Sequence, residues 1–407
     1  MPDYSNAERV VMTLDAGGTN FVFSAMQGNR PVVESFALPS NADHLEQSLN
    51  TLVEGFQRVQ AQLAAPPVAI SFAFPAPADY FNGVIVGPRN LPAYRDLALG
   101  PMLEDRFGLP TFINNDGDLF AYGEAVAGFL PYVNGLLEKA ACPKRFRNLL
   151  GVTLGTGLGG GIVRDGELFT GDNSVAGEMW LLRHKLEREV NAEEGASIRA
   201  VRRVYAEQSA LCFEETPEPK VIYELAEGRA QGNRAAAREA FRRMGQVAGD
   251  AIAQALTLLE GLGAVGGGIA APYRQFLPAM ITEMNGTYKA ANGERFRQLI
   301  PRAFNLEDPA QLQESEGRDE GTGDSRQFTE REVRRTAARG GGDFAIGNKR
   351  SDRRRSLRVC PEPAGEATGV VLREKDYLSR LEMSLSSTPP NLPTQGQRYG
   401  DGIGPVD

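Results

Sequence analysis

Two stretches of this chain share one plan, and a repeated plan restricts topology more than composition does. RVVMTLDA (9–16) passes through a glycine turn into FVFSAMQGN, and NLLGVTLGTGLGGGIV (148–163) again sets two apolar β-rich runs about a glycine turn. Apolar runs joined this tightly read as hairpins. The first is followed by VVESFALPS, a third strand, and then by NADHLEQSLNTLVEGFQRVQAQL. There Leu45, Leu49, Leu52, Val53, Phe56 and Val59 recur at helical spacing, with Asn41 or Asp43 as the start signal. VAISFAFP reads as a buried strand, and GVIVGPRNLPAYRDL as an irregular connection to the helix PMLEDRFG. Strands and helices that alternate in this way predict an α/β fold. Residues 192–262 are mostly helical in period, so two related halves are expected.

The size and charge of the chain narrow its function. At 407 residues it is long enough for two or three domains. Its 52 acidic against 44 basic side chains, net -8, argue against a nucleic-acid partner, because phosphate backbones need a basic surface. Cys142, Cys212 and Cys360 lie far apart, without zinc-site or disulfide spacing. No leader-like N-terminus and no run of about 18 apolar residues is found, so a cytoplasmic protein with no membrane partner is expected. From about Glu314 the apolar period is lost in a mixture of Arg, Gly, Asp and Ser, and 314–407 reads as a disordered tail.

Three glycine turns recur: LDAGGTN (14–20), LGTGLGGG (154–161) and VGGGIA (265–270). Glycine lacks the Cβ that holds an anion away from backbone N–H groups, so such turns suit phosphates. Each could equally be a tight hairpin or a close strand-to-helix contact. Neither the Rossmann nor the P-loop pattern is present. Between the first two turns lies INNDGDLFAYGE (113–124), at the end of a strand-like stretch where open α/β sheets gather ligands. Its residues by themselves suggest a helix cap from Asn115 or Asp116.

Taken in order, Asp15 with Gly17, Gly18 and Thr19, then Asn115 and Asp116, then Gly155, Thr156 and Gly157, then Gly266, Gly267 and Gly268 resemble the ROK family of sugar kinases, within the actin and hexokinase superfamily. The resemblance covers about residues 9–313. It implies two related ribonuclease-H-like (actin-like ATPase) domains around a cleft, 1–113 and 114–313, with 314–407 as an atypical tail. It also implies an ATP-dependent hexose kinase that uses Mg²⁺. Asp116 would be the general base and Asp15 the metal ligand, and the glycines with Thr19 and Thr156 would contact ATP. Asn90, Asn115, Glu178 and Glu193 would bind the sugar.

The sequence departs from the family pattern in several places. Ala76 stands where a glycine is common, and Asp118 where Asn is frequent. In GEMWLLRHK the expected histidine position is Leu181, with His184 three residues on. The zinc cysteines are missing, so no zinc is expected. With Asp116 taken as the base, the cap reading passes to Asn114 or Asp118, and Asp118 is left without a role. His44 and His184 read as surface groups. Homodimers are common in families of this kind.

Two other readings compete with the kinase, a sugar-responsive transcription regulator of the same family and a non-catalytic sugar- or nucleotide-binding protein. The first would need a helix-turn-helix ahead of Asp15, where only fourteen residues stand. The NND segment argues against the second. The family's closing apolar helix is not found after Glu314, which a frame-shift there would explain.

Overall fold

The computed structural model describes residues 6–74, 78–86, 92–139 and 142–306. The expectations for Ala76, Asn90, Cys360 and the 314–407 tail fall outside them. The first sheet is built from β1 (Val10–Ala16), β2 (Asn20–Gln27), β3 (Arg30–Pro39), β4 (Pro67–Ala73) and β7 (Thr111–Asn114), in the order β3-β2-β1-β4-β7. A small hairpin of β5 (Ala78–Asp79) and β6 (Val84–Ile85) lies between β4 and β7 in the chain. The second sheet runs β10-β9-β8-β11, from β8 (Leu149–Leu154), β9 (Leu158–Arg164), β10 (Glu167–Leu168) and β11 (Leu262–Gly266). In both sheets the leading strand is antiparallel to the next strand and parallel to a later one: β1 to β2 and β4, β8 to β9 and β11. The repeat read from the sequence is therefore a repeat of topology.

Alternation along the strands decides which side chains face the core. In β1, Val10, Met12, Leu14 and Ala16 are buried against α1 (Leu45–Gln62) and α2 (Leu99–Phe107), which turns Asp15 to the opposite, exposed face. Helix α1 buries Leu52, Phe56 and Val59, as its spacing predicts, together with Ser48, Thr51 and Gly55. It starts differently from the expectation. Its N-cap is His44, whose side chain makes no capping bond, while Asn41 donates to Thr51 Oγ1.

The second sheet is covered on both faces. Leu150, Val152 and Leu154 pack under α5 (Ile198–Ser209), α6 (Pro219–Glu227), α7 (Arg234–Leu259) and α8 (Tyr273–Met284). Leu149 and Val163 face α3 (Asp116–Val126) and α4 (Phe129–Lys139). Two crossings are close enough to exclude a Cβ. An added Cβ on Gly151 would lie 2.6 Å from Ala121 Cα, and one on Gly249 would lie 2.6 Å from Met280 O. Helix α4 and the hairpin of β12 (Thr287–Lys289) with β13 (Arg295–Arg297) have no counterpart in the sequence reading.

Candidate active site at the strand ends

The carboxyl ends of three parallel strands align the first group of residues. Asp15 pairs with Ala73, and Ala73 with Asn114, so these form one row across β1, β4 and β7. At the usual spacing between strands, Asp15 and Asn114 are about 10 Å apart along that row. Helix α3 starts immediately afterwards. Its N-cap is Asn115, whose side-chain oxygen accepts from Gly117 N at 2.6 Å. The cap is therefore neither Asn114 nor Asp118, and Asn115 has its amide NH₂ left as the donor toward a ligand. Asp116 is exposed in the first turn, where the helix dipole favours an anion, and its Oδ1 also accepts from Gly117 N at 2.9 Å.

Glycine has two distinct uses here. In LGTGLGGG only Gly155, Thr156 and Gly157 form the turn; Gly159, Gly160 and Gly161 lie within β9. An added Cβ on Gly161 would meet Gly117 O at 2.6 Å and Asp118 Cα at 2.7 Å, so Gly161 admits α3 onto the sheet, while Gly160 makes room for Gly177 O and Met179. Gly266 makes room for the Phe120 ring, and Gly267, at φ 102°, lies against the Leu154 backbone. The space beside Gly157 holds the Glu193 carboxylate, which accepts from Leu158 N at 3.2 Å and pairs with Arg199 at 3.2 Å.

What remains open is Gly18 and Gly268, with nothing within 4 Å of an added Cβ, and Gly155, where the nearest atom is Gly268 N at 3.9 Å. Thr19 and Thr156 stand exposed beside them, and Ser40 ties down the first turn through Gly18 O at 2.6 Å and Thr19 O at 2.9 Å. Open backbone with adjacent hydroxyls fits a polyphosphate. Among the described residues no three His, Cys, Asp or Glu side chains gather to hold a metal. The exposed Asp15 carboxylate is an oxygen donor that could serve a divalent cation there.

The third group is acidic. Glu178 follows Gly177, whose φ of 84° turns the chain against Gly160, and accepts from the Trp180 indole N–H. Facing it are Asp118, on the inner side of α3, and Tyr80, from the segment before β6. Asp118 is only 3% exposed, and its Oδ1 has no hydrogen-bond partner. Burial first, then Glu178, then Asp116, push its carboxyl up from 3.8 to about 7. That shift is worth roughly 4 kcal/mol, against about 0.3–1 kcal/mol by which a helix N-terminus favours charge; desolvation and like charges win. Burial, and next to it Asp118, also raises the Tyr80 phenol. Asp118 thus neither caps the helix nor faces solvent, and the sequence held only a weak signal of it, a second acid two residues after Asp116.

The histidines divide. His44 is exposed as expected, but His184 is 4% exposed, and its Nδ1 accepts from Leu186 N at 3.1 Å and Glu187 N at 2.9 Å. Burial holds its imidazole below the usual range. Leu181, at the position expected for a histidine, is 61% exposed. Nearby, Lys185 pairs with Glu283 and lies 3.9 Å from Asp250 in a half-buried network that ties this loop to α7 and α8.

A family model for the ROK family matches residues 11–308. The chain belongs to the ROK family. A solved structure described as a glucokinase from Parabacteroides distasonis is 49% identical and has a TM-score of 0.70, covering 80% of this ROK chain and 89% of that one. A ROK family glucokinase from Streptomyces griseus, solved with glucose and AMPPNP, shares the fold at 21% identity and a TM-score of 0.52, over 68% of this chain and 90% of its own. Among curated proteins, N-acetyl-D-glucosamine kinase of Vibrio parahaemolyticus is 30% identical over 165 residues, 40% of this chain and 50% of that protein. The chain spans about half the length of the curated relatives it matches.

Proposed function

We propose that this ROK protein transfers the γ-phosphate of ATP to a hydroxyl of a hexose, with Asp116 as general base. The observation that carries the reading is the exposed Asp116 carboxylate at the start of α3, in the same strand-end region as Asp15. The 49% identity to a protein described as a glucokinase supports the same chemistry.

In this reading Asn115, Glu178 and Glu193 hold sugar hydroxyls, as does Asn90, which lies outside the described residues. The open backbones at Gly18, Gly155 and Gly268, with Thr19 and Thr156, hold the nucleotide, and Gly17, Gly157, Gly266 and Gly267 shape the turns that carry them. Asp15 holds Mg²⁺, which neutralises charge on the phosphates when bound. The sugar oxygen gives its proton to Asp116 and bonds to the γ-phosphorus while the bond from that phosphorus to the bridging oxygen breaks, releasing ADP. Residues 1–113 and 114–313 act as the two domains around the substrates. The reading needs no nucleic acid or membrane, places the protein in the cytoplasm and is compatible with a homodimer. Among the described residues no helix is long and apolar enough to cross a membrane.

The test is ADP release by the purified protein with ATP, Mg²⁺ and a panel of hexoses and N-acetylhexosamines. Asp116→Asn should lower kcat by about 10²–10⁴-fold while ATP still binds. Equal turnover by the variant refutes the assignment of the base.

A further inference from the structure

Glu178 and Asp116 both act on the buried Asp118 carboxyl, and all three act on the Tyr80 phenol. Burial and a negative neighbour both disfavour ionisation of a carboxyl, so whether Asp118 keeps its proton matters for a reaction that needs a base. Hydrogen bonds distinguish the three acids. Asp116 accepts from Gly117 N, and Glu178 accepts from the Trp180 indole N–H. Asp118 has an orphaned oxygen, is the buried member, and is held rigidly because its Cα abuts Gly161. An ionised carboxylate without donors is the costliest of the three to keep in that position.

We propose that Asp118 is a positioning residue that keeps its proton in its buried place on the inner side of α3, so that it adds no charge behind the Asp116 and Glu178 side chains. The inference rests on the kinase reading for its effect on turnover, but the location of the proton is a property of the free protein. The groups that act on Asp118 are Glu178 from the 177–181 turn and Asp116 from its own helix, and Asp118 acts in turn on Tyr80. Of the elements packed on α3, β8 and β11 carry no charged residue. β9 and β10 carry Arg164 and Glu167, about 10 Å or more along the hairpin from Gly161. Glu138 and Lys139 on α4 are not among the groups acting on Asp118.

When Asp118 loses its proton on the alkaline side, a negative charge enters on the inner side of α3 and opposes the incoming phosphate. Above neutrality kcat/KM should therefore fall.

Two measurements test this on the full chain. Infrared difference spectra of the free protein, titrated from pH 5 to 9, should show a buried carboxylic-acid carbonyl band that disappears with a midpoint near 7. Asp118→Asn should abolish the band, and Glu178→Gln should move its midpoint to lower pH, which keeps the test alive should the first variant fold poorly. With the preferred sugar, wild-type kcat/KM should fall by about tenfold or more from pH 7 to 9, while the Asp118→Asn profile stays flat across that range. A wild type without the band overturns the proposal, as does an alkaline limb that persists in Asp118→Asn. If no sugar is phosphorylated at all, the kinase reading fails, and the band alone decides where the proton sits.

Discussion

At the scale of single residues, α3 gives its first three side chains different surroundings. Asp116 is exposed with a backbone donor, Gly117 has no room for a Cβ, and Asp118 is turned inward with no donor. The buried acid has a thermodynamic signature besides its proposed role. Its folded-state midpoint, about 7, lies above its ordinary value of 3.8, so between those values the folded protein binds more protons than the unfolded chain. By linkage, its contribution to stability is present at low pH and is lost as the pH rises toward and through 7. Asp118→Asn should therefore be more stable than wild type at pH 8 by about 1–4 kcal/mol and show little or no gain at pH 4; paired urea melts at the two pH values check the sign. His184 works in the opposite sense. Its folded value is lowered, so its contribution is lost as the pH falls below about 6.5.

At the scale of elements, glycine separates packing from binding. Gly117, Gly151 and Gly161 bring α3 onto the second sheet, and Gly245 and Gly249 bring α7 against the backbone of α8. Gly249→Ala puts a methyl 2.6 Å from a carbonyl oxygen and should cost about 1–3 kcal/mol in urea unfolding. Gly268 is the opposite case, with nothing within 4 Å of an added Cβ. Gly268→Val should leave the unfolding midpoint of the free protein nearly unchanged and remove most of the stabilisation given by a non-hydrolysable ATP analogue. That stabilisation is about 2.7 kcal/mol at a hundred times Kd for wild type. If Gly268→Val retains the full ATP-analogue shift, Gly268 does not line the nucleotide site. The sequence shows a glycine in both cases, since the absence of a Cβ reads the same whether a helix or a phosphate fills the space.

At the scale of the whole molecule, much of the architecture was legible in the sequence because period-two runs and glycine turns report local backbone geometry. The repeated strand–turn–strand plan, the amphipathic face of α1 around Leu52, Phe56 and Val59, and the helical stretch after residue 192 were read from such patterns. Helix α4 was not, because Gly128, Pro131 and Gly135 interrupt its short apolar run, and the β12–β13 hairpin pairs short strands of exposed residues with no burial pattern to read. Among the site residues, the order of motifs singled out Asp15, Asn115 and Asp116. What the sequence determined by itself was therefore which backbones could turn tightly and which chemistry stood at strand ends, since both follow from local residue type. Tertiary structure decided that Asp118 is buried beside Glu178 and Tyr80, that His184 is buried, that Glu193 fills the space at Gly157, and which glycines remain open. Each of these depends on segments far apart in the chain meeting, and burial and like-charge repulsion exist only once they have met.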